Sequence, residues 1–406
     1  MENKPWEAFL YRDYRILWTI LVFGSIVVWM RILGTAQWLL EETGSAFLVG
    51  LIGVVQLFVQ IPATLWAGTL ADRVDRKNLI TLGHGITGIT LLLLGFLDSQ
   101  EVLTPIMMYL GIAITAGAHM LVSPARSTLV PIIIPKSKLL LAASTDSASQ
   151  NGAAIAGPLF FALIAFHSNL TMVFLLSGSI ALVTAVLPLC TKVRGRAPES
   201  RDQELSHVQQ TFNGFGYISK HPILPGLFLL DIGITTASFY REILPVLALG
   251  LFAGGASATG MLGAANSSGA ILGSFFAMLL VSYRAKGMLV LYASFAYGVL
   301  LLGLGSANTL LMGMLMIGLL GAADAVTVAV RQTTIMLTTP DEMRGRAFSL
   351  MILAAQTANN IGTIWVGFWV GAIGAGNTML LGGFISILAT GLIYKFWQPI
   401  RAFRSQ

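Results

Sequence analysis

Apolar residues in this chain run in long unbroken blocks, and the few charges fall between them. Stretches without Asp, Glu, Lys or Arg cover 43–71, 78–97, 102–125, 147–191, 243–283, 287–323 and 347–394. A helix that crosses lipid needs about 20 apolar residues at about 1.5 Å each. The shorter blocks therefore hold one helix apiece. The longer ones must fold back, with turns at His167-Ser168-Asn169 and from Gly371 to Asn377. The pattern predicts twelve helices, at 16–40, 46–70, 78–97, 104–123, 139–165, 170–190, 222–248, 258–282, 288–305, 309–331, 347–371 and 378–397. Period-two alternation, the mark of a membrane barrel, is absent. Helices also satisfy their own backbone groups where lipid offers no partner. The expected fold class is an all-α membrane protein with twelve transmembrane helices in two six-helix bundles.

Composition agrees. Of 406 residues, 55% are hydrophobic and 10% charged, and the mean hydropathy is +0.79. A soluble globular chain carries about 25% charged residues. These figures exclude a soluble enzyme, a disordered chain and a nucleic-acid module, despite a pI of 9.5. The net charge of +6 has a topological explanation, because 22 of the 24 Lys and Arg residues fall on one side of the predicted spans. The inside-positive rule then places both termini in the cytoplasm. The lone Cys190 excludes a disulfide framework. The five histidines show no metal-ligand spacing, and no Gly-rich phosphate loop ending in Lys-Ser/Thr is present. No enzyme activity, metal or cofactor is indicated.

Six spans, a hydrophilic segment and six more spans suggest an internal repeat, divided as 1–190, a linker over 191–221, and 222–406. In the linker, Leu205, Val208, Phe212 and Phe215 recur at helical spacing, as in an interfacial amphipathic helix or a structured connector. Arg126 precedes Pro135 by nine residues and Arg331 precedes Pro340 by nine, with 205 residues between the pairs. The first and seventh predicted helices start 206 residues apart. Parallel six-helix repeats are a transporter architecture, with the binding site expected near the midplane between halves.

Ionisable groups inside the bilayer are costly and mark function. Asp231 and Asp324 are the proton-coupling candidates. For Asp231 three roles stay open: proton carrier, static partner of an Arg, or lining of a wet cavity. Asp324 and Arg331 are seven apart and share a helix face. Arg31 either recognises an anionic substrate, neutralises a carboxylate or snorkels to the headgroups. Asp146, Arg241 and Glu242 also fall within predicted spans. Gln56, Asn151 and Gln356 join Arg31 as substrate-cavity candidates, beside Gln150 and Asn359; hydrogen bonding between helices is the alternative. Trp29, Phe58, Phe239, Tyr240 and Met261 are candidates for an adaptable apolar wall.

The segment from Gly68 to Lys77 (GTLADRVDRK) resembles the G-x-L-A-D-R-x-G-R-K loop of the major facilitator superfamily, with Asp75 where that family usually has Gly. More of the chain resembles the enterobactin exporter and related bacterial efflux branch: YRDYRILW (11–18), Trp38 with Thr43-Gly44-Ser45, VPIIIPKSKLLLAAS (130–144), HPILPGLFLLD (221–231), and the element from Pro340 to Arg346. The resemblance implies the major facilitator fold and a conformational latch formed by Gly68, Asp72, Arg73, Arg76, Lys77, Arg344 and Arg346. NGAAIAGP (151–158) resembles the Gly-rich bend of exporters, which makes Gly157 and Pro158 a helix-five bend. Many members of the branch carry an Asp just before the position of Arg31, where this chain has Val28. The implied function is export of a small amphiphilic, siderophore- or drug-like compound by alternating access with proton antiport. A lysophospholipid flippase or an uncoupled facilitator is the alternative transport reading, and a non-transporting scaffold or secretion effector is the alternative of another class. Expected partners are the small-molecule substrate, protons and the lipid bilayer, with no nucleic acid. The protein is expected to be a monomer in the bacterial cytoplasmic (inner) membrane.

Overall fold

The computed structural model describes residues 6–193, 215–280 and 283–404. All described regular structure is helical. The first six long helices are α1 (Arg12–Thr43), α2 (Ala46–Arg73), α3 (Arg76–Ser99), α4 (Pro105–Ile133), α5 (Leu139–His167) and α6 (Leu170–Val186). A short helix, α7, covers 215–220. There follow α8 (Leu224–Ser238), α9 (Leu244–Phe252), α10 (Ala256–Leu279), α11 (Lys286–Gly305), α12 (Leu310–Thr338), α13 (Asp341–Ile373), α14 (Ala375–Phe396) and the short α15 (Gln398–Ala402). Eleven of the described helical segments are long and apolar enough to cross a membrane. The fold is that of an all-α, multi-pass membrane protein.

A helix covers each predicted span, although α13, over the expected 347–371 span, is not one of the eleven, and two departures stand out. The helix expected over 222–248 is broken. It stops at Ser238, makes a 3-10 turn at Arg241–Ile243 and restarts at Leu244. Pro245 lacks an N–H and its ring crowds the carbonyl four residues back, at Arg241, so a straight helix is disfavoured there. Prolines alone do not force a break, since α2, α4 and α5 run through Pro62, Pro124, Pro131 and Pro158. Here the break also swings Tyr240 and Arg241 towards a cavity. Secondly, α4 and α12 run on to Ile133 and Thr338, so Arg126 sits within its helix and not in a loop, and Arg331 lies a full two turns from its helix end. Both guanidiniums find a carboxylate, which removes the need for a water-facing loop.

Caps set several starts. Thr104, Asn169 and Thr309 accept backbone N–H bonds at the heads of α4, α6 and α12. Asp75 does the same for α3, taking the N–H of Lys77 at 2.9 Å. That role accounts for an Asp at a position where the resemblance led one to expect Gly.

The contacts divide the chain into two units: Met1–Glu42 with Val55–Gln203, and Thr43–Val54 with Glu204–Gln406. In the first unit α3 and α6 cross where Gly88 and Gly178 bring the backbones together. In the second, α11 and α14 cross at Gly298 and Gly383. The helices α3 and α11 start 210 residues apart, as are Gly88 and Gly298; α6 and α14 start 205 apart, as are Gly178 and Gly383. The same contact is thus built twice. Another close crossing joins α10 to α12, where Gly269 and Gly273 lie on the backbone of Gly318 and Ala322. In the absence of a hydrophobic force within lipid, such small-residue contacts hold helices together by dispersion.

Polar ties reinforce both units. Asp98 accepts from Trp38 Nε1 at 2.6 Å and from the Thr171 hydroxyl at 2.5 Å, joining α3 to α1 and α6. Asp13 accepts the backbone N–H groups of Lys192 and Val193, both at 3.1 Å. In the second unit the fully buried Ile400 of α15 packs on Gly226 and Gly287, and Trp397 donates to the Pro222 carbonyl at 2.8 Å. His221 caps α8: its Nδ1 accepts the N–H groups of Ile223 and Leu224, so the proton is on Nε2, facing the Thr338 carbonyl.

A Cβ on Gly269 would fall on the Gly318 carbonyl, whereas nothing lies within 4 Å of one on Gly152. Gly269→Val is therefore expected to destabilise the protein by about 1–3 kcal/mol. Gly152→Ala is expected to be neutral or to stabilise by up to about 1 kcal/mol through helix propensity. Thermal unfolding in nanodiscs would rank the two. Burial holds the His221 imidazole below its usual range, with the Thr338 carbonyl acting in the opposite sense. A base whose folded pKa is lowered contributes stability above its unfolded pKa, about 6.5, and loses it as pH falls towards the folded value. His221→Phe should accordingly flatten the loss of stability below about pH 6.5.

Candidate functional site

A cavity of about 210 Å³ lies inside the second unit. It is lined from α8, the broken segment after it, α11, α12 and α13. Asp231 is seven residues into α8, about 10 Å along its axis. Its carboxylate is ion-paired with Arg331 Nη1 and also accepts the Thr235 hydroxyl at 3.2 Å. Both partners are largely buried. The pair ties α8 to α12. Arg331 Nε is buried in the same place and makes no hydrogen bond among the described residues. One donor of the guanidinium therefore stays available beside the cavity.

A second acid–base couple shares the cavity. Asp324, two turns before Arg331 on α12, lies in the field of Arg241 from the broken segment. Thr327 is on the same stripe of α12, three residues beyond Asp324, as helical geometry requires. Tyr297 and Ser294 contribute hydroxyls from α11, and Asn359 an amide from α13. Tyr240 closes the wall and donates to Asn266 on α10 at 2.7 Å. Two carboxylates, two guanidiniums and several neutral hydrogen-bonding groups therefore converge in one compartment. Among the described residues no group of three His, Cys, Asp or Glu side chains could hold a metal ion.

The lining brings together Asp231 and Asp324, with Phe239, Tyr240, Arg241 and Asn359. Arg31, Gln56, Asn151 and Gln356 are not part of it. Arg31 and Gln56 are buried in the first unit, where Arg31 donates to the Thr115 hydroxyl at 3.3 Å and Gln56 accepts from Gln60 at 3.3 Å. Asn151 is exposed and Gln356 half-buried. Gly157 sits against the Trp29 Cβ and the Ile26 carbonyl of α1, and α5 runs on through Pro158. The side chains of Gly68, Asp72 and Arg73, and residues 194–214 of the linker, lie outside the described residues. Lys77 Nζ reaches the Thr191 carbonyl at 3.4 Å, Arg344 pairs with Asp341 at 2.7 Å, and Arg346 contacts Met343 Sδ at 3.5 Å.

Tyr297, Ser294, Thr327 and Asn266 went unnoticed as site residues in the sequence. Thr327 was the most accessible, since its spacing from Asp324 and Arg331 follows one helix stripe. The others carry no charge and sit in apolar runs like any helix-packing hydroxyl or amide.

Removing one member of a buried ion pair costs about 3–5 kcal/mol, because the other charge is left uncompensated. Arg331→Gln and Asp231→Asn are each expected to lower stability by that order, and the two combined to recover most of it. A double-mutant cycle on thermal unfolding in nanodiscs checks this; additive losses would show that the two side chains do not act as a pair.

Comparison with known proteins places this geometry in context. The profile of the Major Facilitator Superfamily matches residues 17–265. The enterobactin exporter EntS of Citrobacter koseri is 24% identical over 370 residues, covering 88% of this chain and 83% of the relative. That of Escherichia coli O81 is 25% identical over 331 residues, covering 80% and 74%. Among solved structures, the nucleoside transporter NupG superposes with a TM-score of 0.73 at 14% identity, covering 94% of this chain and 99% of the other. A POT family transporter in complex with 5-aminolevulinic acid gives 0.76 at 13% identity, covering 96% of each chain. The all-helical fold and the family match over more than half the chain together establish that this protein is a membrane transporter of the Major Facilitator Superfamily.

Proposed function

We propose that this chain is a secondary active exporter of a small amphiphilic compound, working by alternating access and exchanging protons for its cargo. What carries the reading is the cavity that joins two acid–base couples within the membrane-spanning part of the second unit. Ionised Asp231 and Asp324 accept hydrogen bonds from donor groups on the cargo, and Arg331 Nε takes an acceptor such as a carbonyl or hydroxyl oxygen. A proton arriving on either carboxylate replaces a charged acceptor with a weaker neutral one, so cargo and proton bind in opposition at one site. Competition of this kind is the thermodynamic requirement for antiport: a ligand shifts an equilibrium only through its differential affinity.

The relatives are enterobactin exporters, and a siderophore-like cargo suits the amphiphilic class. The proposed location is the bacterial cytoplasmic membrane with both termini in the cytoplasm, supported by the one-sided distribution of Lys and Arg. The conformational latch, Gly68 to Lys77 with Arg344 and Arg346, belongs to the same proposal.

Inside-out vesicles carrying the protein provide the test, with enterobactin and a fluorescent amphiphilic cation as probes. Uptake is expected to require an acidic lumen and to collapse with the proton gradient. Asp231→Asn and Asp324→Asn are each expected to reduce gradient-driven uptake at least tenfold and to flatten its dependence between pH 6 and 8. Unchanged rates in both variants would remove the carboxylates from the mechanism. Flux indifferent to the gradient would mark a facilitator, and no flux with either probe or with lysophospholipid would favour the scaffold.

A further inference from the structure

The neutral imidazole of His221 uses both its nitrogens, and uses them on two different helices. Its Nδ1 accepts the N–H groups of Ile223 and Leu224, both at 3.2 Å, at the head of α8. Pro225 follows with no N–H of its own, so the ring serves the two donors that precede it. Its Nε2 faces the Thr338 carbonyl at 3.4 Å, at the tail of α12. The first N–H groups and the last carbonyls of a helix lack partners within it. One ring thus meets both needs and clasps α8 to α12. Tyr217 of α7 supports it, tilted against the ring at 5.7 Å and donating to the same carbonyl at 3.5 Å.

The same two helices are joined more deeply by Asp231 and Arg331. Leu224 and Asp231 are seven residues apart, as are Arg331 and Thr338, which sets the two fastenings about 10 Å from each other along the seam. Between them the seam is apolar. Leu224 and Ile335 are buried, and Phe228 and Met351 pack with them. The void they leave against the ion pair is about 10 Å³, room for one water at most. A dry plug therefore separates the ion pair from the end of the unit where His221 sits.

Protonation undoes the clasp on one side only. A proton on Nδ1 turns an acceptor into a donor. Three N–H groups then converge with nothing to receive them. The new charge also lies at the positive end of the α8 dipole and at the negative end of that of α12. The imidazolium keeps Thr338 and gives up α8.

The surrounding elements are accounted for. On α7, Lys220 is exposed. Helix α8 has no titratable residue before Asp231, and α12 has none between Arg331 and Thr338. At the head of α13, Arg344 pairs with Asp341 at 2.7 Å and Arg346 contacts Met343 Sδ, while the side chain of Glu342 lies outside the described residues. Trp397 meets Pro222 beside the ring; near it in sequence, Lys395 and Arg401 sit over the rings of Phe396 and Tyr394, and Arg404 is exposed. On α11, Lys286 donates to the Leu280 carbonyl at 2.9 Å. None of these charges bears on the imidazole, which feels its own burial and the Thr338 carbonyl.

We propose that His221 is a pH-operated clasp on the cytosolic end of the α8–α12 seam, shut while the ring is neutral and opened by a proton, and that it governs whether cytosolic water reaches the Asp231–Arg331 pair. It rests on the transport reading for one point alone, that this end of the unit faces the cytosol. Burial keeps the ring below its usual range while the clasp is shut, and release returns it to about 6.5. Acid therefore favours the open form, by up to about tenfold per pH unit between those two values.

Hydrogen exchange of the full-length protein in nanodiscs provides the test, at pH 8 and pH 5, with labelling times scaled to the intrinsic exchange rates. Amides of 224–231 are expected to lose about tenfold in protection at pH 5. Those of 105–112 should hold theirs, because Thr104 caps α4 without titrating. His221→Asn still accepts from the head of α8 but takes up no proton, and should stay protected at both values. His221→Phe offers no acceptor and should be unprotected at both. Equal protection of 224–231 at the two values overturns the proposal. So does an acid response that survives in His221→Asn, or one confined to 331–338 of α12. Should neither variant fold, NMR of wild-type protein labelled at the histidine rings decides: one of five signals must titrate below about pH 6.5 with the same midpoint as the loss of protection, and none doing so refutes the clasp. These readouts involve no flux, so failure of the antiport test would leave them standing.

Discussion

Lipid donates and accepts no hydrogen bonds, and that single constraint organises the molecule. Backbone groups retreat into helices, and hydroxyls fold back on their own helix. Thr35, Ser177, Thr334 and Ser386 all donate to the carbonyl four residues earlier. Charges that cannot fold back must meet across helices. They do so at Arg126 with Asp146 and at Arg331 with Asp231, each pair fastening two helices that an apolar surface alone would leave free to slide.

Those two arginines show how a duplicated unit can take on two roles. Each precedes a proline by nine residues on corresponding helices, α4 and α12. In the first unit the guanidinium is spent on structure: Nη2 binds Asp146, Nε binds the Leu17 carbonyl at 3.2 Å, and Tyr14 saturates the carboxylate. Phe9 covers the spot, edge-on to Tyr14 and Trp18. In the second unit the partner is instead on α8, Nε is left over, and a cavity opens alongside. One copy closes a network and the other leaves it incomplete. Incomplete networks are where ligands act, because an unmet donor in a dry interior has most to gain from an acceptor.

The fold was legible because membrane spans announce themselves by length and by the absence of charge. The repeat was legible only through Arg126 and Arg331, although Gly88, Gly178, Gly298 and Gly383 carry it more directly; a glycine among 43 gives no sign of which backbone it will touch. The broken helix was missed because Pro245 has four counterparts that break nothing, and the difference lies in the pull of Tyr240 and Arg241 towards tertiary partners. Asp231, Asp324 and Arg331 were legible as costly charges. Their association was not, since two of them are nearly a hundred residues from the third.

Charge balance sets how the cavity of the second unit must behave under the proposed exchange. With both carboxylates ionised, each guanidinium is compensated and the compartment is neutral. A proton on Asp231 breaks that balance and leaves Arg331 as a lone cation in a medium that penalises it steeply. Only three remedies exist: the proton leaves, an anion arrives, or water enters. Cargo that offers donors to the carboxylates is held less tightly, because the charged acceptor it used has been neutralised. Admission of water is the relief among these that needs the lining helices to part. A neutral, paired compartment is therefore stable when dry and unstable dry once protonated. Under the proposed exchange, that difference is what would let a proton bias a conformational equilibrium without any covalent chemistry.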